Sequence, residues 1–408
     1  MKGLTRRNVL QLGATGAAGV VLGAPAFLRA QSQPVVMLGI WPFTGPFADV
    51  GPLLDRGVQL AIEEWGGQVL EKPIKYITRD SETKPGAATR RVEEAIDSEG
   101  VQYVIGPWSS GVALAVTEVA KRRKALHYFS GGTEELAGKR CHRYGFQWAV
   151  SPYTAMHVVM DKFMELNPQA KRWYLFVSDY AFGWSVEKYI KVAGQKYHID
   201  FVGTDRVLLG TREWSGFVAK AAAAKPDVLC LLNAGQDVII SIREAHNFGL
   251  APQVPVVIGW GVGVEDFVQL DPKNRENLWV GTNAYYTVDT PVAKKYAETY
   301  QQKFGVPPGY APNAAYAMTR LVLRGIEKAK STAPADVAQA LEGWETVDWP
   351  GKLRINPNTH QTERDYFFLR CKPEAKMQHA YDFADIIAVG ATPLMPTEFN
   401  ECKDIGTL

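Results

Sequence analysis

Val35-Val36-Met37-Leu38-Gly39-Ile40 is an unbroken apolar run, and Phe43-Thr44-Gly45-Pro46-Phe47 follows it as a Gly/Pro loop. A run without polar alternation fits a strand covered on both faces, as in a parallel sheet with helices above and below. Val58, Leu60, Ala61, Ile62 and Trp65 then mark a helix. The unit recurs. Strands are predicted at 74–80, 101–106, 125–130, 172–178, 202–208, 228–233, 255–260 and 278–285. Helices are predicted near 86–98, 112–123, 154–166, 184–196, 214–224 and 236–248. Repeated strand–helix units imply an α/β protein with parallel sheets. A closed eight-stranded barrel is the rival, but the chain is long for one and the period fades after residue 285. Helices at 290–304, 311–329 and 334–342 come next, then short strands near 352–356, 365–370 and 380–388.

Length and composition agree with two lobes. The chain has 408 residues, 46% hydrophobic and 22% charged, which is globular and too long for one ordinary domain. It begins Met1-Lys2-Gly3-Leu4-Thr5-Arg6-Arg7-Asn8-Val9-Leu10, and a glycine-interrupted apolar stretch runs to Leu28. Charged start, apolar middle and small-residue end read as a signal peptide over residues 1–30, cleaved after Ala26 or Ala30. The paired arginines resemble a twin-arginine export signal, which is an address and not an anchor. The expected location is the periplasm. Loss of Lys2, Arg6, Arg7 and Arg29 would turn the net charge of +2 into −2. A nearly neutral chain argues against nucleic acid as a partner. The basic run Lys121-Arg122-Arg123-Lys124 fits a solvated helix end.

Enzyme signatures are missing. Trp41-Pro42-Phe43-Thr44-Gly45 does not supply the glycines of a dinucleotide fingerprint, and no P-loop or Gly-x-Ser-x-Gly occurs. The seven histidines are scattered, and the four cysteines form no Cys-x-x-Cys pair, so neither a metal nor a cofactor is expected. Cys230 sits in an apolar strand and reads as a buried thiol. Cys371 and Cys402 flank the terminal strands and are a candidate disulfide in an oxidising compartment.

Ligands of open α/β sheets sit at the carboxyl ends of strands. Here those ends read Gly106-Pro107-Trp108-Ser109-Ser110-Gly111 and Phe129-Ser130-Gly131-Gly132-Thr133, each running into a helix. Small residues admit a ligand to the backbone, and helix N-termini attract an anion. When each loop is taken alone, plain N-capping by Ser110 and Thr133 is the favoured reading, but two such loops on neighbouring strands shift the balance towards a carboxylate or phosphate pocket.

In order along the chain, Thr44-Gly45-Pro46-Phe47-Ala48, Gly106-Pro107-Trp108-Ser109-Ser110-Gly111, Ser130-Gly131-Gly132-Thr133 and Ser178-Asp179-Tyr180-Ala181-Phe182-Gly183 resemble the branched-chain amino-acid type of periplasmic substrate-binding protein. These type I binding proteins feed ABC importers. The resemblance covers nearly all of the chain after residue 34 and implies two Rossmann-like lobes joined by three hinge crossings, placed near residues 150, 284 and 352. Lobe one is then 34–150 plus 285–351, and lobe two is 151–284 plus 352–408. It also implies site residues. The serine that grips a ligand carboxylate corresponds to Ser110, or to Ser109 if the loop is shifted. Gly131 and Thr133 come from the next loop, Phe182 from lobe two, and Gly235 or Gln236 from the loop after Val228–Leu232. The acid that pairs with an amino-acid ammonium should follow the strand at 255–260, yet Gly259-Trp260-Gly261-Val262-Gly263 holds none before Glu265.

The expected partners are a small-molecule ligand and an ABC permease, with the protein itself a monomer. The aromatics Trp41, Trp108, Phe182 and Trp260 near strand ends, with Phe43, Phe47, Tyr285 and Tyr286, favour an organic acid with an aromatic body. A zwitterion would need Glu265, Asp179 or Asp49 for its ammonium. The alternatives are a branched-chain amino acid or amide for the same importer, or a ligand-sensing role beside a receptor.

Overall fold

The computed structural model describes residues 33–406; the expected signal peptide lies outside the described residues. The first lobe opens with β1 (Val35–Trp41), α1 (Gly51–Glu64), β2 (Gln68–Val69), β3 (Lys72–Asp80), α2 (Pro85–Glu99), β4 (Tyr103–Ile105), α3 (Ser110–Arg123), β5 (Leu126–Phe129) and β6 (Gly145–Gln147). The sheet order is β2-β3-β1-β4-β5-β6, parallel except for the β2–β3 pair. β1 is buried along its whole length, which is why its sequence shows no alternation.

The chain then passes to the second lobe. There α4 (Pro152–Leu166), β7 (Arg172–Ser178), α5 (Ala181–Gln195), β8 (Asp200–Val207), α6 (Ser215–Ala223), β9 (Val228–Leu232), α7 (Gln236–Asn247), β10 (Val256–Ile258), α8 (Val264–Phe267) and β11 (Leu278–Thr282) repeat the alternation. α9 (Pro291–Phe304), α10 (Tyr310–Ala329) and α11 (Pro334–Leu341) follow, and α10 packs along α1 of the first lobe. β12 (Glu345–Val347), β13 (Lys352–Ile355) and β14 (Thr362–Arg364) form a small antiparallel sheet. β15 (Tyr366–Cys371) and β16 (Ala384–Gly390) close the second lobe as antiparallel additions, in the order β16-β15-β11-β10-β9-β7-β8. β13 thus pairs with β12 and β14 with β13, not with the second lobe's sheet, and that sheet is re-entered at Tyr366. Leu353 and Ile355 are buried, and Gln361 bridges to Gln147 at the end of β6 in the first lobe's sheet.

Two residues tie the crossings together. Asn283 Oδ1 accepts from Val150 N at 2.9 Å and from Arg364 Nη2 at 3.3 Å. Arg364 also donates to the carbonyls of Asn283 (2.7 Å) and Trp148 (3.3 Å), and its guanidinium lies 4.3 Å from the Trp148 ring centre.

The disulfide differs from expectation. Cys402 is bonded to Cys141, with a Cα–Cα distance of 5.7 Å, and Cys371 is a free buried thiol. Cys371 ends β15 inside the second lobe, whereas the tail beyond β16 crosses behind the hinge to the segment between β5 and β6. Proximity in sequence to Cys402 was no guide, because the tail leaves the strand it follows.

Candidate ligand-binding site

A cavity of about 410 Å³, part of it open to solvent, lies where the strand ends of the two lobes face each other. Trp108, Ser110, Ser130, Gly132 and Tyr310 line it from the first lobe's elements, and Tyr180, Phe182, Ala234, Gly235, Trp260 and Gly261 from the second.

The polar groups have assignable roles. Ser110 opens α3 and its Oγ accepts from Gly132 N at 2.9 Å, which leaves its own proton available. Ser130 Oγ donates to Pro107 O at 3.4 Å and so faces other groups as an acceptor. Tyr310 Oη accepts from Trp260 Nε1 and from Asn283 Nδ2, both at 3.1 Å. Burial pushes the Tyr310 phenol up to about 12 and Tyr180 up as well, so both stay neutral.

The aromatic walls are built by close approach. Phe182 and Trp260 meet edge to face at 6.0 Å and 77°, and Trp108 meets Tyr310 at 5.3 Å and 71°. Gly132 lies against the first pair: a Cβ there would stand 2.9 Å from Phe182 Cδ2 and 3.2 Å from Trp260 Cζ2. Only a residue without a side chain lets the lobes meet at this point.

Of the residues singled out in the sequence, Ser110, Trp108, Phe182 and Trp260 line the cavity. The other five lie elsewhere. Ser109 caps α3 through its carbonyl, which accepts from Ala113 N. Gly131 and Thr133 are buried beneath the loop, where their carbonyls accept from Gln147 Nε2 at 2.5 and 3.2 Å. Trp41 is fully buried under Gly106, with its Nε1 on Tyr76 Oη at 2.9 Å. Gln236 bridges the lobes outside the cavity, donating to Asp49 Oδ2 at 2.7 Å, while its neighbour Gly235 forms the wall. Tyr180 and Tyr310 were missed as wall residues. Tyr180 stood in a quoted motif, but Tyr310 opens a helix far along the chain and nothing local marks it.

The three candidate acids are all engaged outside the cavity. Glu265 Oε2 and Oε1 accept from the N–H groups of Tyr310 (2.8 Å) and Ala311 (2.7 Å), at the start of α10. Burial raises its pKa and these hydrogen bonds partly oppose that. Asp179 accepts from Trp184 Nε1 at 2.8 Å, and Asp49 from Gln236. None of the cavity's walls is Asp, Glu, Lys, Arg or His.

Two α/β lobes meeting over a pocket built from strand ends are the architecture of a ligand-binding protein. The chain belongs to the periplasmic binding protein family, whose model matches residues 34–376. This is a family of substrate-binding transport proteins and not of enzymes. A Leu/Ile/Val-binding protein homolog from Brucella melitensis is 27% identical over 380 residues, covering 87% of each chain. The structure of an amino acid ABC transporter substrate-binding protein from Pseudomonas fluorescens is 31% identical, covers 91% of this chain and 99% of its own, and superposes with a TM-score of 0.86. A solute-binding protein of an ABC transporter from R. palustris, solved with benzoate, is 17% identical with a TM-score of 0.80, covering 91% of this chain and 99% of its own. Among the described residues no helix is long and apolar enough to cross a membrane.

Proposed function

We propose that this protein captures a small aromatic carboxylic acid outside the cytoplasmic membrane and delivers it to an ABC permease. The observation that carries the reading is the charge pattern of the cavity. No acid lines it, and the three acids that could have served an ammonium are bonded elsewhere. A zwitterionic ligand would bury its ammonium without a partner, at a cost of several kcal/mol.

A carboxylate finds the opposite. α3 and α5 begin at the walls with no acid in their first turns, and the Ser110 hydroxyl has a proton to give. Trp108, Phe182, Trp260 and Tyr310 supply the apolar body of the site. The R. palustris protein shows that a chain of this fold can hold benzoate.

A branched-chain amino acid is the second reading, favoured by the descriptions of the Brucella and Pseudomonas relatives. Mass spectrometry of the ligand released from purified protein, followed by tryptophan-fluorescence titration, separates the two. Micromolar binding of benzoate-like or cinnamate-like acids supports the proposal. Micromolar leucine binding with no response to those acids overturns it.

A further inference from the structure

Tyr310 sits at a point where hydrogen-bond directions can be counted. Asn283 Oδ1 is held by two donors, Val150 N at 2.9 Å and Arg364 Nη2 at 3.3 Å. That fixes the orientation of the amide, so its nitrogen faces Tyr310 Oη at 3.1 Å and can only donate. Trp260 Nε1, also 3.1 Å from Tyr310 Oη, is a donor and nothing else. Both lone pairs of the phenol oxygen are therefore occupied. Its proton must point elsewhere, and no acceptor of the protein receives it among the described residues. Tyr310 is 3% exposed and forms part of the cavity wall. A buried donor without a partner is costly, so the missing acceptor belongs on the ligand.

We infer that Tyr310 is a specificity-determining residue of the binding site, an obligate donor that selects a ligand oxygen and rejects an N–H or ammonium at that position. Asn283 and Arg364 are its positioning residues: they set which way the proton faces. The inference rests on the proposed aromatic-acid reading and deepens it, because it requires an acceptor at the Tyr310 wall. It also connects the pocket to the hinge, since the same Asn283 amide joins Val150, Arg364 and Tyr310.

The test uses the full chain purified free of ligand, with benzoate, 4-hydroxybenzoate, cinnamate and leucine as probes. Tyr310→Phe should weaken binding of the preferred acid about ten- to hundredfold, the scale of a lost hydrogen bond to a charged group. Asn283→Asp keeps an oxygen for Val150 and Arg364 but turns the second position into an acceptor, which draws the Tyr310 proton away from the ligand. It should weaken the acid by a similar factor with an unchanged melting temperature. The double variant should bind no worse than Tyr310→Phe alone, because without the hydroxyl there is no proton to redirect. Losses that add in the double variant, or a Tyr310→Phe protein within twofold of wild type, overturn the inference and leave the aromatic-acid reading standing. If Asn283→Asp does not fold, Tyr310→Phe alone decides. A wild type that binds leucine and none of the acids overturns the aromatic-acid reading, and the same ratios are then read on leucine, whose carboxylate is also an acceptor. A wild type that binds none of the four overturns both.

Discussion

Gly132→Ala should separate ligand binding from folding. A Cβ at this position would stand 2.9 and 3.1 Å from two ring carbons of Phe182 and 3.2 Å from one of Trp260. Comfortable carbon contacts begin near 3.5 Å, so all three are repulsive. Phe182 follows β7 and Trp260 follows β10, both in the second lobe's sheet, while Gly132 follows β5 in the first. The overlap therefore exists only when the lobes meet, and opening the cleft relieves it. Overpacking of this kind costs about 1–3 kcal/mol. Here that cost falls on closure, and a ligand can shift the equilibrium only by its preference for the closed form. Affinity should fall about five- to 150-fold. Isothermal titration with the ligand identified by mass spectrometry reads the loss, and thermal melting of the ligand-free protein should be unchanged. Gly216→Ala, where a Cβ would meet nothing within 4 Å, is the control. Wild-type affinity in the Gly132 variant would refute the reasoning, as would a matching fall in ligand-free melting temperature.

Three further outcomes are expected. Ser110→Ala removes the donor beside Gly132 and should weaken acid binding by roughly 1.5–3 kcal/mol, read by the same titration; an unchanged constant would place the carboxylate elsewhere. Denatured, unreduced protein should show two free thiols, Cys230 and Cys371, and Cys402→Ser should lower stability by about 2–5 kcal/mol in denaturant melts, a range set by the long loop that the Cys141–Cys402 bond closes; four free thiols would remove the tether. Burial pushes Asp237 from 3.8 up to about 6, with the hydrogen bond from Gly210 N only partly opposing. The folded chain then holds that proton more tightly than the unfolded one, so the group's contribution is fullest below about pH 4 and is lost as pH rises through 6. Asp237→Asn should flatten this fall and gain up to about 3 kcal/mol at pH 7; identical pH slopes for variant and wild type would show that Asp237 does not titrate there.

The alternation of strands and helices was legible because burial on both faces leaves its mark in the residues themselves. β1, β7 and β9 read as apolar runs, and helix starts such as Ser151-Pro152 and Thr290-Pro291 carry their own N-caps. What stayed hidden depends on distant pairing. β6, β12 and β14 are three residues each, too short for any period to show, and they exist because partners from elsewhere supply their hydrogen bonds. The site divided along the same line. Ser110 and Trp108 lie on a loop whose small residues announce a strand end, whereas Trp41, equally aromatic and equally near a strand end, points under Gly106 and stabilises the core. Residue type and position along a strand do not reveal which side of a loop a ring will occupy.

Glu265 shows how a ligand preference can be decided far from the ligand. It is the first acid after the strand that should supply an ammonium partner, and distance along the chain alone would have left it available. α10 begins Gly309-Tyr310-Ala311-Pro312, with no side-chain cap and no acid in its first turn. A buried twenty-residue helix with an uncapped N-terminus needs hydrogen-bond acceptors from somewhere else. Glu265 provides them from the other lobe, and Gly309 is what permits the approach, because any Cβ there would collide with the carboxylate. One interaction thus removes the acid from the pocket, fastens one lobe to the other, and sets Tyr310 at the wall with its hydroxyl beside Trp260 and Asn283. The proposed preference for a carboxylate over a zwitterion rests on how α10 is capped, before any contact with the ligand is made.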